Sequence, residues 1–371
     1  MIIKTITCHH VYNYGATLQA YALQSYLESL GHKVGIIDYR LPTHIRYELF
    51  KPYPNGRYYK ITKKLPMLNY LITPIKNRSM FKTWGRKKSF DIFDKKYLNI
   101  DTPTYHSYND IKNNPPKADI FIAGSDQIWN PQMLNGTDLG YYLDFGDEKI
   151  RRFSYAASLG VNEISDKQEA FMKKMLDKFE AISVREESGL NILMKAGIKA
   201  QRDVDPVFLL NHSEWVHNLD LSLTKNNYIL VYDFTHDDIK IKEFVQDLSH
   251  KMRLKILAIN DYENTPYADV QINNAGPIEF LQYLMNARYI VANSFHATAF
   301  SLIFHKDFAI FPLISQSNPS RITDLLRNIG LINHFQPKDV SVIDENIKWD
   351  IVDKKLNSDI EISKQYLKGL I

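Results

Sequence analysis

Four short stretches of this 371-residue chain concentrate residue types that hold anions and move protons. ANSFHATAF (292–300) carries Ser294 and His296, and ISVREESG (182–189) carries Arg185. FIAGSDQIWNP (121–131) carries Asp126, Gln127, Trp129 and Asn130, and HHVYNYGATLQAYAL (9–23) carries Asn13, Tyr14 and Gly15. An imidazole donates a proton near neutral pH, and a guanidinium grips a carboxylate or phosphate with a fork of hydrogen bonds. Each stretch joins an apolar run to a helical pattern, and a helix amino terminus offers free N–H groups and a positive dipole end to an anion. A plainer reading stands beside each: His296 as a solvated histidine in a capped helix, Asp126 as a helix cap, and the Gly/Asn/Ser clusters as turns.

These residues are useful only if strands and helices bring them to one edge. The segment 289–311 reads as strand (289–292), short helix (297–304) and strand (308–311), with His296 just past the first strand's carboxyl end. The same alternation starts the chain: strand 2–8, helix 16–30, Gly31 as stop, strand 33–38. It continues with strands 118–123, 152–157 and 181–184 and helices 166–179 and 186–196. After a polar stretch at 211–227 it restarts with strands 228–232 and 254–259 and helices 238–251 and 277–286. The expected fold is therefore α/β, two Rossmann-like domains of parallel sheet facing a cleft, with sites at the carboxyl ends of the strands. Residues 1–210 form the first domain, 226–340 the second, and 341–371 an extension packing back on the body. A basic, aromatic insert occupies about 42–117 of the first domain.

Composition narrows the class. Apolar residues make up 44% and charged residues 24%, ordinary values for a globular protein. The single cysteine, Cys8, excludes an internal disulfide framework, and Cys8-His9-His10 has no second ligand cluster to make a metal site. No apolar run reaches the ~20 residues of a membrane span, and the amino terminus lacks the long apolar segment of a signal peptide, so a cytoplasmic protein is expected. The net charge of +4 is unevenly spread: residues 46–96 hold fourteen Lys or Arg against Glu48, Asp91 and Asp94. That segment also carries Tyr53, Tyr58, Tyr59, Phe81, Trp84 and Phe93, a mixture suited to nucleic acid, an anionic membrane surface or a phosphate-bearing lipid. GxGxxG, GxxxxGK[ST] and G-x-S-x-G motifs are absent. Asp203 and Asp205 form a D-x-D, but 28 aspartates generate such spacings by chance, so no weight falls on it.

Taken in order, NYGATLQAYALQ, GSDQIWNP, SYAASLG, SVREESG, DPVFLL, NSFHATAFSLIF and SRITDLL resemble the polysaccharide pyruvyltransferase family from about residue 3 to residue 331. The resemblance implies a GT-B-like fold and transfer of pyruvate from phosphoenolpyruvate onto two hydroxyls of a sugar as a cyclic ketal. The acceptor would be a lipid-diphosphate-linked saccharide, such as a galactose-containing one, in capsular or exopolysaccharide synthesis. His296 would be the acid and Asp126 the base. Arg185, Ser294, His296 and Arg321 would hold the donor, and Asn13, Tyr14, Gln127, Trp129 and Asn130 the acceptor, with Trp129 stacking on a sugar face. No metal or other cofactor is expected, and no nucleic acid. The basic insert would dock on the anionic inner face of the cytoplasmic membrane. Where relatives carry glycine after the motif histidine, this chain has Ala297, which suits a helical first turn. The rival readings are a nucleotide-sugar glycosyltransferase of the same architecture and a non-catalytic saccharide-binding protein.

Overall fold

The computed structural model describes residues 1–41, 84–224, 227–313 and 319–371. Its first sheet holds β1 (Ile2–Ile6), β2 (Lys33–Ile36), β3 (Ile120–Ala123) and β4 (Arg151–Ser154), all parallel, in the order β2–β1–β3–β4. The parallel pair β5 (Ser183–Val184) and β6 (Gln201–Arg202) continues it through single bridges from Phe153 to Ala181 and from Ala157 to Val184. The second sheet holds β7 (Tyr228–Tyr232), β8 (Lys255–Ile259), β9 (Val270–Ile272), β10 (Tyr289–Ala292) and β11 (Asp307–Ile310). It is also parallel, in the order β11–β10–β7–β8–β9. Strands such as β3 and β10 are apolar and buried throughout, as parallel strands covered on both faces must be.

The helices are α1 (Tyr14–Ser29), α2 (Trp84–Tyr97), α3 (Tyr108–Asn113), α4 (Asp166–Leu176), α5 (Glu187–Lys195) and α6 (His212–Leu219). They continue with α7 (Ile239–Met252), α8 (Pro277–Asn286), α9 (Phe295–Ile303), α10 (Ser320–Ile329) and α11 (Trp349–Leu370). None of them is long and apolar enough to cross a membrane. In each sheet the strand order reverses direction once, between β1 and β3 in the first and between β7 and β10 in the second. Loops diverge at such a point and leave a crevice beyond the strand ends. The loops after β1 and β3 carry Asn13 and Asp126; those after β7 and β10 carry Phe234 and His296.

Three readings from the sequence change. The stretch 211–227 is not simply a polar linker: it contains α6, started by an Asn211–Glu214 capping box. Trp215 and Leu219, four residues apart on one face, are buried, and Trp215 Nε1 donates to the Val207 carbonyl. One apolar core consequently runs through both halves, from Tyr14 and Leu18 of α1 through Phe90, Trp215 and Phe280 to Phe300 of α9.

The basic insert is the second correction. Residues 42–83 lie outside the described residues, but 84–97 form α2, whose Phe90 and Phe93 turn an apolar stripe inward. Arg86 and Lys87 are buried with them, so neither is available to a membrane surface. The third concerns very short strands: β6 and β9 were not expected, because QR has no apolar residue and VQI, although it alternates, is only three residues long. The carboxyl-terminal helix α11 contacts the first half. Tyr366 donates to the Ser154 carbonyl (2.9 Å), and Ser363 Oγ accepts from Val204 N (3.0 Å).

Candidate active site

The site is built where two helices from opposite halves meet amino terminus to amino terminus. Asn13 caps α1, its side chain accepting from Ala16 N at 3.1 Å, and Ser294 caps α9, accepting from Ala297 N at 3.4 Å. His296 is the second residue of α9, and its ring lies against Gly15, the second residue of α1. A Cβ on Gly15 would fall 1.8 Å from His296 Nδ1, so no residue but glycine leaves the ring where it is. The requirement is space, because this glycine is helical.

Behind the ring lies a buried charge network. Asp205 Oδ2 is 3.5 Å from His296 Nε2 and accepts from Arg185 Nη1, while Oδ1 accepts from Val207 N at 3.1 Å. Burial raises the Asp205 carboxyl, but His296 and Arg185 outweigh it and hold the group well below the ordinary carboxylate range. Arg185 lies over the Phe295 ring (4.8 Å), with Asp126 Oδ1 and Glu186 Oε2 each 3.9 Å from its remaining nitrogens. Glu186 Oε1 collects Ser158 Oγ, Leu159 N and Gly160 N at 2.7–3.0 Å, tying the SYAASLG stretch to the start of α5.

In front of the ring is a cavity of about 300 Å³. Its polar wall comprises Asn13, Asp126, Gln127, Ser294, His296 and Arg321; its apolar wall includes Val11, Met133, Tyr232, Phe234, Phe280 and Leu313. Asp126 adopts a left-handed backbone (φ 72°), and its Oδ1 accepts from Gln127 N at 2.9 Å, so the bend of the loop fixes its carboxylate. With its amide oxygen turned outward, Gln127 accepts from Arg321 Nη1 and Nη2 at 3.3 and 3.2 Å. Burial and the charge of Arg185 draw the Arg321 guanidinium below its ordinary value. An imidazole, a carboxylate and a guanidinium therefore share one cavity between two helix amino termini.

The structure separates the expected site residues. Asn13, Asp126, Gln127, Ser294, His296 and Arg321 all line the cavity. Arg185 stands behind His296 and does not line the cavity; its Nη1 is bound to Asp205. Trp129 is 0% exposed, stacked on Tyr142, with Nε1 donating to the Tyr141 carbonyl; it belongs to the core and presents no face to a sugar. Tyr14 reaches the cavity with its ring, but its hydroxyl donates to the Ala275 carbonyl (2.8 Å) and accepts from Arg86 Nε (3.2 Å). It therefore offers an acceptor no free polar group. Asn130 stands behind Gln127 and outside the cavity. Reading the sequence missed Asp205, set aside as half of a chance D-x-D, and Asn293, whose amide joins Asp233 (2.7 Å) to the His296 loop. The usable signal for Asp205 was local: an aspartate directly before Pro206 caps a helical turn.

Two parallel sheets with their switch-point loops lining a shared crevice make this a GT-B-like α/β protein. Solved structures agree on the fold. UDP-GlcNAc 2-epimerase from Methanocaldococcus jannaschii superposes with a TM-score of 0.50 at 13% identity, over 97% of this chain and 92% of that one. Another UDP-N-acetylglucosamine 2-epimerase gives 0.50 at 9% identity, over 100% and 94%. No curated protein matches the chain in sequence. The profile of the polysaccharide pyruvyl transferase family matches residues 13–313, from the cap of α1 to the loop after β11, and the chain belongs to that family. It is a transferase of pyruvyl groups in polysaccharide biosynthesis, with a sugar acceptor and a pyruvate donor.

Proposed function

We propose that the donor is phosphoenolpyruvate and that the product is a cyclic pyruvate ketal bridging two hydroxyls of one sugar. The observation that carries this reading is the meeting of His296, Arg321 and Asp126 in one cavity between the amino termini of α1 and α9. Phosphoenolpyruvate presents a phosphate and a carboxylate, which suit Arg321 and the two helix ends. The protonated imidazole of His296 gives its proton to the methylene carbon, whose π electrons form the new C–H bond and leave the neighbouring carbon electron-poor. A sugar hydroxyl adds there and yields its proton to Asp126. The carbon–oxygen bond to phosphate then breaks, phosphate leaving with the electron pair, and a second hydroxyl closes the ring with loss of its proton. The balance is one phosphoenolpyruvate and one diol giving one ketal and one phosphate. Arg321 stabilises the departing phosphate. Arg185 acts through Asp205 instead of touching the donor.

The acceptor is a lipid-diphosphate-linked saccharide of a surface polysaccharide, a galactose-containing one among the first to try. The basic residues of segment 46–96, without the buried Arg86 and Lys87, meet its phosphates at an anionic membrane face. No metal takes part. The test is incubation with phosphoenolpyruvate and a panel of lipid-linked mono- and disaccharides, with and without chelator. Released phosphate and an acceptor heavier by one pyruvyl group support the reading. Reaction with nucleotide sugars alone overturns it, and a chelator block reversed by Mg²⁺ removes the metal-free clause.

A further inference from the structure

We propose that Asp205 is the positioning carboxylate of His296: it holds the N–H of Nε2, so that Nδ1, lying over Gly15 at the cavity, carries the proton that is transferred. This rests on the reading of His296 as the acid. Nε2 is buried and without a hydrogen-bond partner, and the Asp205 carboxylate 3.5 Å away is the acceptor facing it. Catalytic hydrogen bonds of this length are ordinary before substrate is bound and shorten as the imidazole takes up charge. The ring has little freedom to turn elsewhere. Gly15 blocks one side, and Phe295, edge-on at 5.2 Å, blocks another.

Asp205 is itself anchored by backbone. Oδ1 accepts from Val207 N where the Pro206–Leu209 turn starts, and Oδ2 also takes Ser125 Oγ at 3.4 Å. The pairing with Arg185 does not account for the arrangement alone, since Arg185 Nε and Nη2 remain buried without hydrogen-bond partners. A pair kept only for stability would have satisfied them. The shared Oδ2 instead places one carboxylate oxygen between His296 and the Arg185 guanidinium, so the arginine fixes the oxygen that faces Nε2. Asp126, Glu186 and Arg321 complete the charged surroundings of this group. Asp205 and His296 come from opposite halves, and the continuous core between those halves keeps them together without a ligand.

Two measurements test this on the full-length protein. In the wild type without substrate, nitrogen NMR of labelled histidines should show neutral His296 protonated at Nε2. Asp205→Asn should cut turnover by roughly 10²–10⁴-fold and change the neutral tautomer of His296 seen by nitrogen NMR, with little change in KM for phosphoenolpyruvate. Should Asp205→Asn fail to fold with Arg185 stranded, Asp205→Asn/Arg185→Gln removes that cation and is measured against Arg185→Gln. A neutral wild-type ring protonated at Nδ1 overturns the proposal, as does a folded Asn variant with unchanged tautomer and near wild-type turnover. If phosphoenolpyruvate proves not to be a substrate but the Nε2 tautomer is found, the donor assignment fails and the Asp205–His296 pairing stands.

Discussion

Two buried arginine–aspartate pairs lie near the join between the halves, and they are finished differently. Arg86 is held by Asp261 (2.7 Å), Tyr14 Oη and the Tyr12 carbonyl, and packs on the rings of Tyr14 and Phe90; no buried nitrogen of this arginine lacks a hydrogen bond, although Asp261 Oδ1 meets it as an ion pair without one. Arg185 has Asp205 on one nitrogen and two nitrogens with no hydrogen bond. A buried network that is fully satisfied rigidifies a structure, whereas one left partly open is costly unless something else uses it. The closed pair fastens α2 to the second half and stands outside the cavity, behind the ring of Tyr14. The open pair sits directly behind His296. Chemistry is therefore expected at Arg185 and stability at Arg86.

The largest effect should come from the open side. His296→Ala should lower turnover by roughly 10²–10⁴-fold with the fold intact. Gly15→Ala should approach that loss, although alanine is the better helix former, because its methyl group takes the position of the imidazole. Circular dichroism and turnover together decide both, and near wild-type turnover in either variant would reduce His296 to a helix-end residue. On the closed side, Arg86→Met should cost about 3–5 kcal/mol of stability by stranding Asp261, with the turnover of the folded fraction within a few-fold of wild type. A denaturant titration reads the first quantity. If turnover instead collapses while stability holds, the contrast between the two pairs is wrong.

That contrast could not have been drawn from the sequence, although the location of the site could. Apolar strand patterns alternating with helical ones mark where strands end, and Asn13, Asp126, Ser294 and His296 follow those ends. What a linear pattern does not encode is which way a side chain turns. Trp129 in GSDQIWNP looks like a sugar platform because it follows Asp126 and Gln127, yet the loop turns it toward Tyr142. Arg86 reads as a solvated charge among other charges, and only the partners contributed by Tyr14 and Asp261, 72 and 175 positions away in the chain, make its burial tolerable. Asp205 belongs to a spacing too common to signal anything, and its meaning comes from a histidine 91 residues further on.

Arg321 sharpens the comparison from the cavity side. Unlike Arg86 and Arg185 it lines the cavity, with Gln127 as its neighbour. Arg321→Gln should raise KM for phosphoenolpyruvate by about 10- to 100-fold, the equivalent of one charged hydrogen bond of about 1.5–3 kcal/mol. KM for the saccharide should move far less. Initial rates with each substrate varied in turn separate the two, and an equal rise in both would place Arg321 outside the donor site.

The smallest expected effect is at Lys87, the neighbour of Arg86 on α2. Its amine is drawn down to about 8, first by burial and then by the charge of Arg86, with Asp91 partly opposing. An unfolded chain holds this proton up to a pKa of about 10.4. Below pH 8 both states are protonated, and the folded state bears the full cost of a cation in a poor position. Between about pH 8 and 10 the folded state releases the proton first, so the unfolded state binds more protons and stability rises with pH. Lys87→Met should therefore raise the melting temperature at pH 7 by on the order of 2 °C, and the gain should shrink as pH passes from 8 toward 10. Differences between variant and wild type cancel the tyrosines that titrate nearby in pH. A melting temperature lowered by the substitution at pH 7, or a gain indifferent to pH, would mean that α2 needs the Lys87 charge as much as it needs that of Arg86.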